Sequence, residues 1–531
     1  MPPLISTLAS ISVRGSRPIS TASINPTILT PWVARIGRFS GNSFEISSGI
    51  VVAPNGDFYI SGRNKATYSG SYINFSLTKF SSTGQIIWQT ILGEFVGSTV
   101  QDITGLCVDS ENNLYFVAAG YLRGINTGID GYFGKLNSTN GSTVFIKRIY
   151  FNWYTVLTSQ DDLYGIAYSS TDNTIVVTGR TGYIDGIPQG YSSKCLIAKY
   201  TLTGEIVWQR INRYTTTASD DGTLLYGKDV SIDSSGNIYV AASNSYVTDF
   251  TTGNTLLSLS SNGTRRWVVR EKITGIEPNN LIPRKIITTS NNNTVIVALG
   301  QARISGTTST YIKMATITQY NSSGTKLWQI QPNLSYGGTS PGTVLYAGLT
   351  SDSSNNIYVA LPGISDSSFK VGSTYPYGND CILLYKINGA TGSILWIRDI
   401  KLNAAASSAG SGYIDNPVTI PTGLKCLGNF LYLVGYTNAT LSNVRDTYNG
   451  VFLKIPTDGS LLSTTGFKIN SEMGYKIIDG TALHTLFKYT STTQTVTSSI
   501  SDDVYSYTNN LSVDVSLTTT DNNMVKQIAV L

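Results

Sequence analysis

The chain has 531 residues, of which 13% are charged, and a formal net charge of +5. That length allows several ordinary domains or one large repeat domain. Lys and Arg are scattered with no basic run, which excludes the charge balance of a nucleic-acid binder. The abundance of Ser, Thr, Asn, Gly and Tyr suits short strands and tight turns and excludes a helical protein.

In chain order, "MPPLISTLASISVRGSRP" opens the sequence without a basic region before its apolar part. The expectation is therefore a protein made without Sec export. Residues 1–29 read as an extended arm, with Arg14 and Arg17 set among small residues to dock onto a neighbouring subunit. No stretch is apolar and long enough to span a bilayer as a helix. "TPWVARIGR", residues 30–38, is a lone strand ahead of the first repeat.

From there two patterns alternate. One is a pair of apolar strands around a polar turn: "GIVVAPNGDFYISGR", "GLCVDSENNLYFVAAG", "GIAYSSTDNTIVVTGR", "DVSIDSSGNIYVAAS", "KIITTSNNNTVIVALG", "GLTSDSSNNIYVALPG" and "GLKCLGNFLYLVGYT". The other is a strand, a Gly-containing turn and a strand carrying one Trp: "LTKFSSTGQIIWQTI", "LIAKYTLTGEIVWQRIN", "ITQYNSSGTKLWQIQ" and "LYKINGATGSILWIRDI". "FGKLNSTNGSTVFIKRI" has Phe145 in the Trp place, and "LLSLSSNGTRRWVVRE" carries Trp267. Together they make a four-strand unit, a to d, with a period of roughly 60 residues, which is the range of propeller repeats rather than solenoids. Such a unit cannot bury both faces alone, so the units stack as blades in a ring.

Seven copies end at "LKIPTDGSLLSTTGFKIN", where Ser463 replaces the Trp. "GYKIIDGTALHTLFKYT" reads as an eighth a–b pair and "TQTVTSSIS" as its c strand. The prediction is one all-β propeller over residues 30–502, with eight blades preferred and seven allowed. Residues 30–38 supply the missing d strand of the last blade, so that no sheet edge is left open. Residues 503–531 read as a β-rich C-terminal tail. Trp32, Trp88, Trp208, Trp267, Trp328 and Trp396 are expected at equivalent outer-strand sites.

The sequence offers little chemistry. Its single histidine, His484, has no G-x-S-x-G elbow beside it, and no metal-binding or phosphate-loop spacing is present. Cys107, Cys195, Cys381 and Cys426 lie in apolar strands without a C-x-x-C pair and read as buried free thiols. "DSENN", "DSSGN" and "DSSNN" hold Asp and Asn as a calcium loop does. They are too short, lack the closing Glu, and use ordinary turn residues. No catalytic, cofactor or metal residues are expected. The aromatics concentrate in the b–c and d–a loops, which share one end of the ring. Tyr121, Tyr132, Trp153, Tyr183, Tyr191, Tyr375 and Tyr377 form the candidate interaction face, in the Tyr/Ser/Gly/Asn vocabulary of adaptable contact surfaces.

These repeats resemble the β-propeller repeats called SBBP repeats, and the T-G-x-x-x-W turn also resembles the quinoprotein (PQQ-type) repeat, over roughly residues 30 to 500. The resemblance implies a propeller fold; no PQQ or calcium ligands can be placed. "PLISTLASISVRGSRP" and the Ser/Thr-rich stretch from Tyr489 resemble structural proteins of marine tailed phages, cyanophages especially. This implies a non-enzymatic, tail-associated virion component, assembled in the host cytoplasm. Its partners would be other virion proteins, met through the arm and the loop face. The alternative is a phage protein that binds a host receptor or glycan through that face.

Overall fold

In the computed structural model, described residues are 32–37, 44–65, 72–96, 102–120, 129–149, 161–181, 194–214, 224–245, 253–273, 276–304, 311–334, 346–363, 381–404, 419–437, 449–460, 463–469, 473–479, 491–495, 500–503, 513–514 and 525–530. They form seven antiparallel sheets, each built on a four-stranded blade. Blade 1 comprises Phe44–Val52, Phe58–Lys65, Tyr72–Phe80 and Ile86–Val96. Blade 2 comprises Asp102–Val108, Leu114–Gly120, Asp130–Leu136 and Thr143–Ile149. Blade 3 comprises Leu163–Ser169, Thr174–Thr181, Lys194–Thr201 and Ile206–Tyr214. Blade 4 comprises Leu224–Ile232, Ile238–Ser245, Gly253–Leu259 and Arg265–Ile273. Blade 5 comprises Ile276–Thr288, Thr294–Ile304, Tyr311–Tyr320 and Lys326–Ile330. Blade 6 comprises Gly348–Ser351, Ile357–Gly363, Cys381–Ile387 and Ile394–Ala404. Blade 7 takes strands a to c from Thr419–Leu427, Phe430–Thr437 and Asn449–Pro456, and its d strand from Trp32–Gly37 at the other end of the chain.

Each strand a touches strand a of the blades on either side, so the seven innermost strands close around an axis. Strands b and c are covered on both faces: "LYFVAAG" and "IYVALPG" are buried throughout. The core is a set of inter-blade clusters. Tyr59, Leu77 and Trp88 of blade 1 pack on Leu114, Phe116 and Tyr132 of blade 2, and Ile50, Phe58 and Phe80 of blade 1 pack on Tyr432, Val434 and Phe452 of blade 7. This last cluster seals the ring at the smaller of the two counts that the sequence allows.

The eighth a–b pair is therefore not a blade. Its first half, Met473–Asp479, pairs with strand d of blade 6, with Ser463–Ile469 outside it. The second half, with His484, lies outside the described residues. "TQTVTSSIS" is not a c strand either. Ser491–Thr495 adds to the outer edge of blade 4 and Ile500–Asp503 to that of blade 3. Val513–Asp514 joins blade 2, and Val525–Val530 lies against Trp32–Gly37 on blade 7. The C-terminal segment thus runs backwards around the rim, lending strands to open edges.

The repeating Trp explains the joints. The Trp88 indole donates to the Ser138 carbonyl of blade 2 (3.1 Å), Trp208 to Ser261 of blade 4 (3.0 Å), Trp267 to Ser322 of blade 5 (3.0 Å) and Trp328 to Gly389 of blade 6 (2.9 Å). Each ring lies under the Gly of the next c–d turn. Gly141 has φ +71°, and a Cβ there would stand 2.6 Å from the Trp88 ring. The turn therefore demands Gly twice, for its backbone and for the ring beneath it. Trp396 packs under Gly459 and Phe145 under Gly204 in the same way. Trp32 pairs in register with Lys454 as Trp396 does with Lys386 and Trp88 with Lys79. The N-terminal strand thus holds the repeat's Trp in its proper place.

Candidate functional site

The a–b turns at one end of the ring are structural. The Asp109 carboxylate accepts from the backbone N–H of Glu111 and Asn113, from the Asn113 amide and from the Tyr115 hydroxyl (2.8 to 3.1 Å). Asp233 and Asp352 repeat the pattern with Tyr239 and Tyr358. In this arrangement the calcium-like segments are turn staples. Cys107, Cys195 and Cys381 are buried and Cys426 is half-buried, none of them in a disulfide; burial pushes the Cys195 thiol up to about 12.

The other end of the axis is different. Six of the seven a strands carry a β-bulge near the loop end, where one residue has no partner on strand b. A bulge turns one side chain out of the pleat and is common beside functional sites. The bulged residues are Ser48, Thr104, Tyr164, Lys228, Arg284 and Thr422. Where the residue is small it ties neighbours together: the Thr104 hydroxyl donates to the Leu163 carbonyl of blade 3 (2.8 Å). A Gly follows it in blades 1, 2, 3 and 7, because adjacent a strands approach closely there. A Cβ at Gly165 would stand 2.7 Å from the Asp229 backbone.

Blades 3, 4 and 5 depart from this rule with a Tyr, a Lys and an Arg. The Lys228 ammonium lies 4.1 Å from the centre of the Tyr164 ring and 5.0 Å from that of Tyr226, and the Arg180 guanidinium lies 5.3 Å from the Tyr226 ring. Asp162 Oδ2 accepts from the Tyr164 hydroxyl (2.6 Å) and from Arg180 Nε and Nη2 (2.7 and 2.6 Å). Burial, then the nearby Arg284 and Arg180 charges, push Lys228 down to about 7 against the pull of Asp162. Burial lowers Arg284 to about 10. Across the axis, burial lifts Asp102 to about 6 despite Arg63 and Ser48, and Tyr346 is raised to about 12 by burial and by Asp102. Deeper, Lys285 of blade 5 faces Asp229 of blade 4 at 4.0 Å, and Asp229 Oδ2 also accepts from the Ile286 N–H (3.1 Å).

Of the predicted interaction residues, only Tyr132 is described. It is fully buried between blades 1 and 2, because it sits inside strand c and not in the loop before it. It is a core residue and cannot serve as an exposed anchor. Tyr121, Trp153, Tyr183, Tyr191, Tyr375 and Tyr377 lie outside the described residues. The Trp set occupies one register position throughout; Trp88 and Trp396 are buried, and Trp208, Trp267 and Trp328 are half-buried. Sequence reading missed the bulge residues. Their signal was present: strand a begins with Gly in five copies, but "DVSI" and "KIIT" begin with Asp229 and Lys285, preceded by Lys228 and Arg284.

No family model matches the chain, and no curated protein matches it. Solved structures to which the chain is similar include polysaccharide lyase Uly1, at 11% identity and a TM-score of 0.42, covering 77% of this chain and 90% of that one. The Dos1 propeller matches at 10% identity and a TM-score of 0.37, covering 81% and 96%. A quinohemoprotein alcohol dehydrogenase from Pseudomonas putida HK5 matches at 10% identity and a TM-score of 0.34, covering 82% and 78%. Among the described residues no helix is long and apolar enough to cross a membrane.

Proposed function

We propose that the chain is a non-enzymatic structural component of a tailed-phage particle, tail-associated, whose propeller serves as an assembly module. The outer rim carries this reading. The residue immediately before the Trp position is an exposed apolar side chain in five blades: Ile87, Val144, Val207, Leu327 and Leu395. These residues lie at the c–d turn end of strand d. The strands added by the C-terminal segment pair farther along, beyond the Trp, at Arg398–Ala404, Val269–Ile273 and Ile211–Tyr214. A repeated apolar stripe left open beside occupied strand edges is suited to protein contact. The phage-like opening and Ser/Thr-rich end point the same way. The polar side chains of the a–b turns and Trp joints are engaged in holding blades together.

Mass spectrometry of purified particles tests the proposal. The chain should be present in stoichiometric amount, with Leu395 and Val207 protected from surface labelling in particles and labelled in the free chain. Its absence from particles would rule the assignment out. A receptor- or glycan-binding role is the second reading, favoured by the cations and tyrosines gathered at the loop end of the axis. A glycan array with the isolated chain separates the two.

A further inference from the structure

We propose that Lys228, Arg284 and Tyr164, the bulged residues of blades 4, 5 and 3, form with Arg180 a binding site for an oxyanion group, a carboxylate, sulfate or phosphate ester, at the loop end of the axis. The site goes beyond the assembly role and does not depend on it.

Three observations carry it. First, the position is set by the fold. The same bulge recurs in blades 1, 2 and 7 with Ser48, Thr104 and Thr422, so Lys228 and Arg284 occupy places where the ring needs only a small hydroxyl. A repeat that departs from its own rule in consecutive blades has a reason beyond closing the ring. Second, the carboxylates nearby are held by other partners, although Asp162 Oδ1 takes no hydrogen bond. Asp162 Oδ2 is held by Arg180 and Tyr164, and Asp229 faces Lys285 and the Val230 and Ile286 N–H groups. No carboxylate among the described residues lies within ion-pair distance of the Lys228 ammonium. Third, the ammonium is placed against the Tyr164 and Tyr226 rings, the second of which also carries the Arg180 guanidinium, and it feels the Arg284 charge. The ring faces attract the ammonium, while gathering like charges in a buried place costs free energy that an incoming anion would recover.

Among the described residues the charged groups acting on Lys228 are Arg284, Arg180 and Asp162, with the Tyr164 and Tyr226 rings against it. Its depressed proton affinity gives the site a pH signature. An anion favours the protonated amine, so binding should take up a proton near neutral pH and weaken as pH rises. Sulfate keeps its charge over this range, so its pH dependence reports on the protein alone.

The test is calorimetric titration of the full chain with inorganic sulfate, inorganic phosphate and glucuronate at pH 6.5 and 8.5. Saturable one-to-one binding of at least one probe is expected, weaker at the higher pH. The preference between glucuronate and the tetrahedral anions identifies the group as a carboxylate or an ester. Lys228→Thr and Arg284→Thr, which install the residue that blades 2 and 7 already tolerate, should each weaken binding tenfold or more while the thermal transition stays cooperative. If none of the probes saturates, or if both variants bind as the parent does, the site does not exist. A variant that loses its cooperative transition is replaced by Lys228→Met, judged by the same tenfold criterion.

Discussion

The outer joints and the inner bulges are built by the same repeat, yet they treat variation in opposite ways. At the rim, a Trp or Phe lies under a left-handed Gly of the next blade at six successive joints. At the axis, the corresponding positions change from Ser and Thr to Tyr, Lys and Arg over blades 3 to 5. Sameness around a ring reflects a packing problem that every joint must solve. Difference at one equivalent place shows where packing leaves freedom and a ligand can impose a choice.

The largest test of this contrast is to open the ring. Deleting residues 1–38 removes strand d of blade 7 and uncovers strand c, where Val451, Phe452 and Leu453 are fully buried. The loss should exceed that of one core aromatic, about 3–5 kcal/mol, and expose an unpaired edge. Denaturant melting and light scattering would report a lower midpoint and association. A midpoint equal to that of the full chain would mean that the ring does not depend on this strand.

One joint at a time should cost less. Trp88→Ala and Trp396→Ala remove buried rings and should each cost about 3–5 kcal/mol. Gly141→Ala forces a side chain into a left-handed turn against the Trp88 ring and should cost at least about 1 kcal/mol. Since Trp88 and Gly141 meet, the double variant should lose less than the sum, with a coupling of about 0.5–3 kcal/mol. Strict additivity would show that the two residues are not one joint.

How much of this was legible follows from the same contrast. The strand order, the closing strand and the Trp positions could be read because the repeat restates them. One Trp with its Gly turn is ambiguous, but four near-copies are not. Three things were hidden. The strands after Ser463 look like another blade because the local pattern of an outer added strand matches that of a blade strand; only the sealed cluster of Ile50, Phe58 and Phe452 decides between them. Tyr132 looked like a loop aromatic because the boundary of strand c falls two residues before it, at Asp130. The bulges were hidden more deeply, since an unpaired residue is a property of register between strands. The sequence shows only a missing Gly before "VSI" and "IIT".

A turn staple should rank next. Asp109→Ala leaves the Asn113 amide and two backbone N–H groups without their acceptor, while the Tyr115 hydroxyl keeps the Leu202 carbonyl. Hydrogen bonds to charged groups contribute about 1.5–3 kcal/mol, so a loss of about 2 kcal/mol is expected. Asp109→Asn keeps one acceptor oxygen and should recover part of it. Stability of both variants at fixed denaturant would check this, and equal losses would assign the effect to charge and not to hydrogen bonding.

The smallest effect, and the one that bears most on the axis, is the pH dependence of Lys228→Thr. Lys228 titrates near 7 in the folded chain against an ordinary value of 10.5. Between these values the unfolded chain holds a proton that the folded chain has released, so this residue makes stability rise with pH across that window. Below about 7 both states are protonated and the full cost of the buried charge is present; above about 10.5 both are neutral and the cost is gone. Replacing Lys228 with the Thr of blades 2 and 7 removes that cost. The variant should therefore be the more stable near pH 7, and its advantage should shrink steadily towards pH 10. Paired melting curves across that range would measure it. A parallel offset at every pH would mean that Lys228 carries no displaced proton, and that its place between Tyr164 and Tyr226 is packing of the same kind as the rim.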